Sequence, residues 1–158
     1  MRLRDALRPR SVFAAAAGTT VGVLLGLGVY TFVYGQGYVY LSDDPEACAN
    51  CHVMSEQLDA WQKSAHHTVA TCNDCHTPSG LVGKYAVKAI NGFNHSLAFT
   101  TGNFHEPIQV NAMNRRVAQR ACEKCHAVLV HALLWAAPGE GEALPACVRC
   151  HAAVGHPR

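Results

Sequence analysis

The hydrophobic positions of this chain form one long uninterrupted run near the N-terminus and only short stripes after it. No charged residue occurs in residues 11–42, and the apolar run of residues 12–34 is long enough to cross a bilayer as a helix. Tyrosines that suit an interfacial aromatic belt mark its end, at Tyr30, Tyr34, Tyr38 and Tyr40. The pattern predicts an N-terminal transmembrane helix, with residues 1–34 as cytoplasmic N-terminus and anchor and residues 35–158 as a second domain.

Charge on the two sides of the run predicts its orientation. Basic residues precede it and acidic residues follow it: Arg2, Arg4, Arg8 and Arg10, then Asp43, Asp44 and Glu46. Because positive charge stays on the cytoplasmic side, we expect residues 35–158 in the periplasm, outside the cytoplasmic membrane. The alternative is a cleaved signal peptide, but the run exceeds an h-region and no small-x-small site follows it before position 48.

Small residues recur every four positions in the anchor, at Ala14, Gly18, Gly22 and Gly26. They share one helix face, which favours close packing against a second helix, either another copy of the chain or a partner. The alternative is that glycine is simply common in membrane helices.

Beyond position 42 the periodicity predicts short helices joined by irregular segments. Ser55 suits the cap of one helix and Pro107 the start of another. The apolar faces are Leu58, Trp61 and Ala65 in the first, and Val110, Met113, Val117 and Ala121 in the second. Residues 139–145 read as a loop, and no segment reads as a strand. The expected fold class is mostly α with much irregular structure.

One motif, Cys-x-x-Cys-His, occurs four times, at residues 48–52, 72–76, 122–126 and 147–151. It is the attachment signature of a c-type haem, in which two thiols bond the porphyrin and the histidine reaches the iron. The motifs use every cysteine of the chain: Cys48, Cys51, Cys72, Cys75, Cys122, Cys125, Cys147 and Cys150. The sequence therefore predicts a multihaem cytochrome c with four covalently attached haem c groups and one N-terminal transmembrane helix.

Two alternatives to haem are weaker. Four Cys-x-x-Cys pairs could close two structural zinc sites, but zinc does not require a histidine after every second cysteine. Such a coincidence would arise on the order of once in 10^5 trials. A thioredoxin-like dithiol would need a βαβ unit, which is not legible here. The sequence has no basic stripe of the kind that marks a nucleic-acid binder, so we expect no nucleic-acid partner.

Residues 35–158 provide about 31 residues for each haem, too few for a separate apolar core beside each one. We therefore expect the macrocycles to supply much of the buried apolar surface, and the chain without haem to be largely unfolded. The consecutive motifs are spaced as two di-haem modules, motifs 1 and 2 and motifs 3 and 4.

Each six-coordinate iron needs a second axial ligand. Histidines outside the motifs are candidates: His66, His67, His95, His105, His131 and His156. Two axial imidazoles give an iron that conducts electrons rather than reacts. Motif 1 continues from His52 through Val53 to Met54, whose thioether could ligate haem 1 or merely pack on its ring.

These features together are similar to the NapC/NirT/NrfH family of membrane-anchored quinol dehydrogenases. The resemblance covers essentially the whole chain and includes residues 61–66 before motif 2, residues 83–100, and residues 154–156 after motif 4. Within this family, the short length of the chain is most similar to that of the NrfH branch, the small subunits of cytochrome c nitrite reductases.

The resemblance implies iron ligands residue by residue. It implies Met54 as the ligand of haem 1, with His52 outside its usual ligand role. It implies His76, His126 and His151 as the motif ligands of haems 2, 3 and 4. His66 matches a distal ligand, for haem 3, and His156 one for haem 2.

The family's quinol site lies beside haem 1, with a lysine that matches Lys88. His95 falls where family members can place a carboxylate or histidine over haem 1, which leaves the sixth ligand and the proton acceptor open. His131, in the apolar run of residues 127–137, either ligates haem 4 or lies in a partner-packing segment. We expect His67 and His105 at the surface.

The function that the resemblance implies is an electron-transfer subunit with quinol dehydrogenase activity, part of a nitrite reductase complex. It would oxidise menaquinol and pass electrons to a periplasmic multihaem cytochrome c nitrite reductase, which forms ammonium. One alternative is service to another periplasmic reductase, such as nitrate reductase. A second is a reductase in its own right, and a zinc-held scaffold is the remaining one.

Overall fold

The structure is a computed structural model that describes residues 9–136 and 146–156. The α-helices of those residues, in chain order, are α1 Pro9–Tyr34, α2 Pro45–Cys48, α3 Ser55–Gln62, α4 Cys72–His76, α5 Leu81–Thr101, α6 Ala112–Cys125 and α7 Ala127–Ala136. Short 3-10 turns span Gly37–Leu41, His52–Met54 and Cys147–Arg149. Residues 9–136 and 146–156 contain no strand. The predicted mostly α fold class is confirmed, while the loop predicted at residues 139–145 lies outside the described residues.

Helix α1 is the predicted anchor. It spans 26 residues, ends at Tyr34 as the sequence predicts and has no buried residue, and an 18-residue window within it has a mean hydropathy of 2.0. A Cβ added at Gly18, Gly22 or Gly26 would meet nothing within 4 Å, so the small-residue face is open along its length. The compact units of the chain divide between Val39 and Tyr40.

Two helix starts differ from the sequence prediction. Ser55 does not cap α3, because the 3-10 turn before it already engages the first N–H groups: Ser55 N donates to the carbonyl of His52. Helix α6 does not begin near Pro107 but at Ala112, where Asn111 Oδ1 accepts a hydrogen bond of 2.8 Å from Asn114 N. A side-chain acceptor at the N-cap stabilises a helix start more than an apolar stripe upstream of it.

The described residues form almost no apolar core of their own. Among the described residues only Ala47, at 9 % exposure, and Val87, at 8 %, are buried hydrophobics. This agrees with the length argument, because folded domains normally bury a contiguous set of large apolar side chains.

Candidate haem and quinol sites

Each described Cys-x-x-Cys-His motif forms a short helical turn or the end of a helix. The first cysteine of each is half-buried and the second is exposed: Cys48 and Cys51, Cys72 and Cys75, Cys122 and Cys125, Cys147 and Cys150. Residues three apart are neighbours on a helical surface, so each turn presents its two thiols on one side. That is the geometry that two thioether bonds to one porphyrin require.

The motifs lie against one another. Helix α4, which is motif 2, packs on α6, which ends in motif 3, and α2 of motif 1 contacts α4. The thiol of Cys48 hydrogen-bonds that of Cys72, which lowers the pKa of Cys48 to about 7 and raises that of Cys72. A similar contact joins Cys122 and Cys147. The two modules that the spacing predicts are thus joined through α4 and α6 into one array.

Two histidine pairs stand at a spacing that suits a metal ion between them. The ring centres of His66 and His126 are 6.2 Å apart, and those of His76 and His156 are 6.0 Å apart. Because a bound imidazole nitrogen lies about 2.0 Å from its metal, two imidazoles on opposite sides of one iron have ring centres roughly 6 Å apart. The angles between the ring planes are 68° for the first pair and 11° for the second.

A tight turn positions His66. Trp61 Nε1 donates to the carbonyl of Ala70 at 3.0 Å, which closes the loop between α3 and α4, and His66 N donates to Ser64 Oγ at 3.2 Å. The ring of His67 packs edge-on against Trp61, with centres 4.9 Å apart, so this exposed residue supports the loop.

Unsatisfied groups in this region fit an iron ligand. The Nδ1 atom of His66 is buried without a hydrogen-bond partner, which is costly unless that nitrogen itself binds another group. Desolvation, and then the neighbouring His156, lower the pKa of His76 below its ordinary value. A lowered pKa keeps the imidazole neutral, and the neutral form is the one that coordinates metals.

Motif 1 continues into the 3-10 turn His52–Met54, in which His52 is exposed and Met54 half-buried. Tyr40, which the sequence analysis treated only as part of an aromatic belt, hydrogen-bonds the thiol of Cys51. Burial, followed by that contact, raises the pKa of Tyr40 to about 12. A tyrosine hydroxyl therefore lies against the first haem motif.

Lys88 lies in a cluster that joins α5 to the segment before motif 1; we call it the Asp43 clamp, made of Asp43, Lys84, Lys88 and Asn73. Lys88 Nζ donates to the Ser42 carbonyl at 2.6 Å and lies 3.5 Å from Asp43 Oδ1, while Lys84 forms an ion pair with Asp43 Oδ2. Asn73 Nδ2 donates to Asp43 Oδ1 at 2.8 Å. The hydrogen bond with Lys84 lowers the pKa of Asp43.

The clamp is not predicted from the sequence, in which Asp43 serves only as one of the charges that indicate the orientation of the anchor in the membrane. Its positive charge also reaches motif 1, because Lys88 helps to lower the pKa of Cys48. Lys88 is 12 % exposed at its side chain, against 53 % for Asp43, so the ammonium lies on the inner side of the clamp.

His95 lies on the same face of α5 as Lys88, seven residues further on, which is about 10 Å along the helix axis. Between them Asn91 and Asn114 exchange two hydrogen bonds, of 3.1 and 3.0 Å, that join α5 to α6. His95 is exposed, yet partial desolvation lowers its pKa, which favours a neutral ring that can accept a proton.

The remaining candidates are exposed. His131 lies on α7 beside exposed Val128, Leu129 and Leu133, while His151 belongs to motif 4 and His105 to the segment before α6. His131 makes an interaction within the structure, and its two predicted roles both stay open.

The donor set distinguishes haem from zinc. Within residues 9–136 and 146–156, no three His, Cys, Asp or Glu side chains converge to hold a metal ion. Four-cysteine zinc sites are therefore not formed by the described residues. Two thiols on one side of each motif turn, opposed histidines and very few buried apolar side chains among the described residues fit porphyrins held between the elements.

An apolar N-terminal helix followed by Cys-x-x-Cys-His turns and opposed histidines defines a membrane-anchored multihaem cytochrome c. The chain belongs to the NapC/NirT cytochrome c family, whose N-terminal region matches residues 8–158. It is accordingly a single-pass membrane protein whose cofactor is covalently bound haem c. The family predicted from the sequence is confirmed.

Relatives with established names resemble the chain over most of its length. It is 41 % identical over 144 residues to the cytochrome c-type protein NrfH of Wolinella succinogenes, covering 85 % of this chain and 80 % of that protein. It is 28 % identical over 150 residues to the cytochrome c nitrite reductase subunit NrfH of Nitratidesulfovibrio vulgaris, covering 95 % and 87 %. The tetraheme c-type cytochrome CymA of Shewanella oneidensis is 24 % identical over 187 residues, covering 99 % and 98 %.

One solved structure matches the fold. It is the cytochrome c nitrite reductase NrfHA complex bound to the HQNO inhibitor, with a TM-score of 0.58 and 28 % identity, covering 92 % of this chain and 91 % of the matched one.

Proposed function

We propose that this chain oxidises menaquinol and delivers the electrons to a periplasmic multihaem cytochrome c nitrite reductase that forms ammonium. The observation that carries the proposal is the likeness to two NrfH proteins over at least 80 % of their length, one of them named as a nitrite reductase subunit. The matched fold comes from a complex of that enzyme.

The Cys-x-x-Cys-His turns would hold four haem c groups. When bound, these groups supply the iron centres that accept and donate single electrons. The proposed iron ligands are Met54 for haem 1, His76 and His156 for haem 2, His126 and His66 for haem 3, and His151 for haem 4. The opposed rings of the two histidine pairs support the assignments for haems 2 and 3. His52, His95 and His131 are secondary candidates.

We assign quinol binding to Lys88 and His95. Lys88 is held beside Ser42 and Asp43 and can donate hydrogen bonds to a quinol oxygen. Oxidation releases protons, and a neutral imidazole such as His95 can accept one. The matched NrfHA complex is bound to the HQNO inhibitor, and a ligand bound to that complex supports the proposal of a ligand site in this chain.

Topology follows from charge. Arginines precede the anchor and Asp43, Asp44 and Glu46 follow it, which supports a cytoplasmic N-terminus and a periplasmic domain of residues 35–158. The reductase would then meet the chain on the periplasmic side.

The quinol assignment is tested with Lys88→Gln in the full-length holoprotein, reconstituted with its reductase in membranes. We expect menaquinol-dependent nitrite reduction to fall by about 10²-fold, the usual contribution of a positioned proton-handling group. The matched control Lys84→Gln removes the other lysine of the clamp and should retain most activity. A Lys88→Gln protein with wild-type menaquinol oxidation would contradict the assignment.

The partner is tested by co-purification from native membranes. We expect a multihaem nitrite reductase, and recovery of a nitrate reductase in its place would assign the chain to that alternative pathway. The purified chain alone, given a reduced dye, should not consume nitrite. Rapid consumption would identify it as a reductase in its own right.

A further inference from the structure

Helix α5 is amphipathic, but its polar side faces inward. Lys84 and Lys88 contact Ser42 and Asp43, and one turn further Asn91 pairs with Asn114 of α6. The buried Val87 lies next to this side. These contacts fix the rotation of the helix about its axis, so the opposite side must face outward.

The outward side is apolar and uncharged. Its members recur at helical spacing and are all exposed, and we call them the α5 stripe: Val82, Ala86, Ala89, Ile90, Phe93 and Leu97. Val82 is 86 % exposed, Phe93 68 %, Leu97 51 % and Ile90 46 %. At 1.5 Å per residue the stripe is roughly 22 Å long. A continuous apolar surface of this kind is normally covered by another apolar surface.

The chain itself indicates what covers it. The Asp43 clamp ties α5 to Ser42 and Asp43, and Tyr85 Oη donates to the Leu41 carbonyl at 3.5 Å. Only residues 35–41 separate Tyr34, the last residue of the anchor helix, from the clamped segment. Helix α5 is therefore fastened to the part of the chain that leaves the membrane, and a tethered group meets a nearby surface at high effective concentration.

A second exposed apolar helix gives a contrast. Val128, Leu129 and Leu133 of α7 are exposed, but no hydrogen bond or ion pair recorded in the described part of the chain ties these residues to residues 41–43. Exposed apolar side chains alone therefore do not distinguish α5 from α7. Helix α5 is distinguished because it has both the α5 stripe and the Asp43 clamp.

We propose that the α5 stripe lies in the lipid interface of the bilayer that holds α1, as an interfacial amphipathic helix does. This contact goes beyond the proposed electron transfer. It would place lipid on one side of α5 and Lys88 and His95 on the other, so that a lipophilic quinol has one helix to pass.

The test uses the full-length holoprotein in nanodiscs that contain a phosphatidylcholine with a diazirine on its acyl chain. After photolysis and digestion, mass spectrometry should find lipid adducts on peptides of α1 and on residues 82–97. The variant carrying Val82→Ser and Phe93→Ser should lose adducts on α5 by about tenfold, because both stripe side chains lose their favourable transfer to lipid. The control Val69→Ser alters a valine that is 78 % exposed outside the stripe and should label as wild type.

Three outcomes would overturn the proposal. Adducts confined to α1 would exclude a lipid contact at α5. Adducts on α7 but not on α5 would show that α7, and not α5, contacts the lipid. Loss of the α5 adducts on addition of the reductase would make the stripe a protein interface. Visible spectra verify that each variant retains its haems. Menaquinol-dependent nitrite reduction, measured on the same nanodiscs, separates this contact from the proposed function, because either can fail while the other holds.

Discussion

His66 shows how the fold brings two histidines that are distant in sequence close together. It lies 60 positions before His126, and the two rings come to 6.2 Å because the Trp61–Ala70 hydrogen bond closes the loop that presents it. The sequence reasoning proposed His66 as a distal ligand through a family resemblance. No periodicity could have placed it, because the loop is irregular and its direction depends on a side-chain contact to a backbone carbonyl.

The next residue provides a matched control for a ligand test. If His66 is a haem ligand as proposed, His66→Ala should convert one haem from low-spin to a high-spin or otherwise altered signal, since one axial imidazole is lost. His67→Ala should leave every haem low-spin, because His67 packs on Trp61 and not on an opposed histidine. Electron paramagnetic resonance and visible spectra of the oxidised protein report the difference. An unchanged spectrum for His66→Ala would remove this residue from the ligand set.

At the scale of elements, the sequence predicts which segments are helical better than where they begin. The stripe Met113, Val117 and Ala121 is on α6, but the helix begins at Ala112, with Asn111 as its N-cap, rather than near Pro107. The reason is energetic: the Asn111 side chain satisfies a free N–H of the first turn, a local contact that an apolar pattern does not encode. The Asp43 clamp was missed for a related reason, since its partners are 30 to 45 residues apart.

The clamp predicts a pH dependence. The pKa of Asp43 is lowered, so its contribution to stability is present above its ordinary value of about 3.9 and is lost as pH falls below it. The pKa of Lys84 is raised, so its contribution persists up to about pH 10.4 and is lost above that. We expect Asp43→Asn to lower Tm by roughly 1–3 °C at pH 5 to 9, as exposed ion pairs do, and by less at pH 3, where protonation of the carboxylate has begun to remove its contribution.

The measurement is thermal unfolding of the full-length protein in detergent at pH 3, 5, 7 and 9. Asp59→Asn, which alters an exposed aspartate on α3 outside the clamp, should keep the wild-type Tm at each pH. A difference for Asp43→Asn that persists unchanged at pH 3 would show that the carboxylate is not the source of the effect.

At the scale of the whole molecule, the sequence predicts the anchor, the helical class and the need for haem, because each depends on composition and spacing. The described chain has only Ala47 and Val87 as buried hydrophobics. Burying a side chain such as Val87 stabilises by only about 1.5–3 kcal/mol, whereas folding must also offset the conformational entropy of every ordered residue. Covalently bound haem c can supply apolar surface that the described side chains do not.

We therefore expect that, when all eight motif cysteines are replaced by alanine, only the anchor helix α1 remains folded. We expect circular dichroism in detergent to retain about the helix content of the 26-residue α1 and to lose most of the rest. Limited proteolysis should leave a fragment that ends shortly after Tyr34, because the bilayer-spanning helix satisfies its own backbone and needs no haem. The wild-type holoprotein under the same protease should remain largely intact. If the cysteine-free chain resisted cleavage through α5 and α6, hydrogen bonds such as those of the Asp43 clamp and the Asn91–Asn114 pair would suffice for the fold. Haem binding would then not be required for folding.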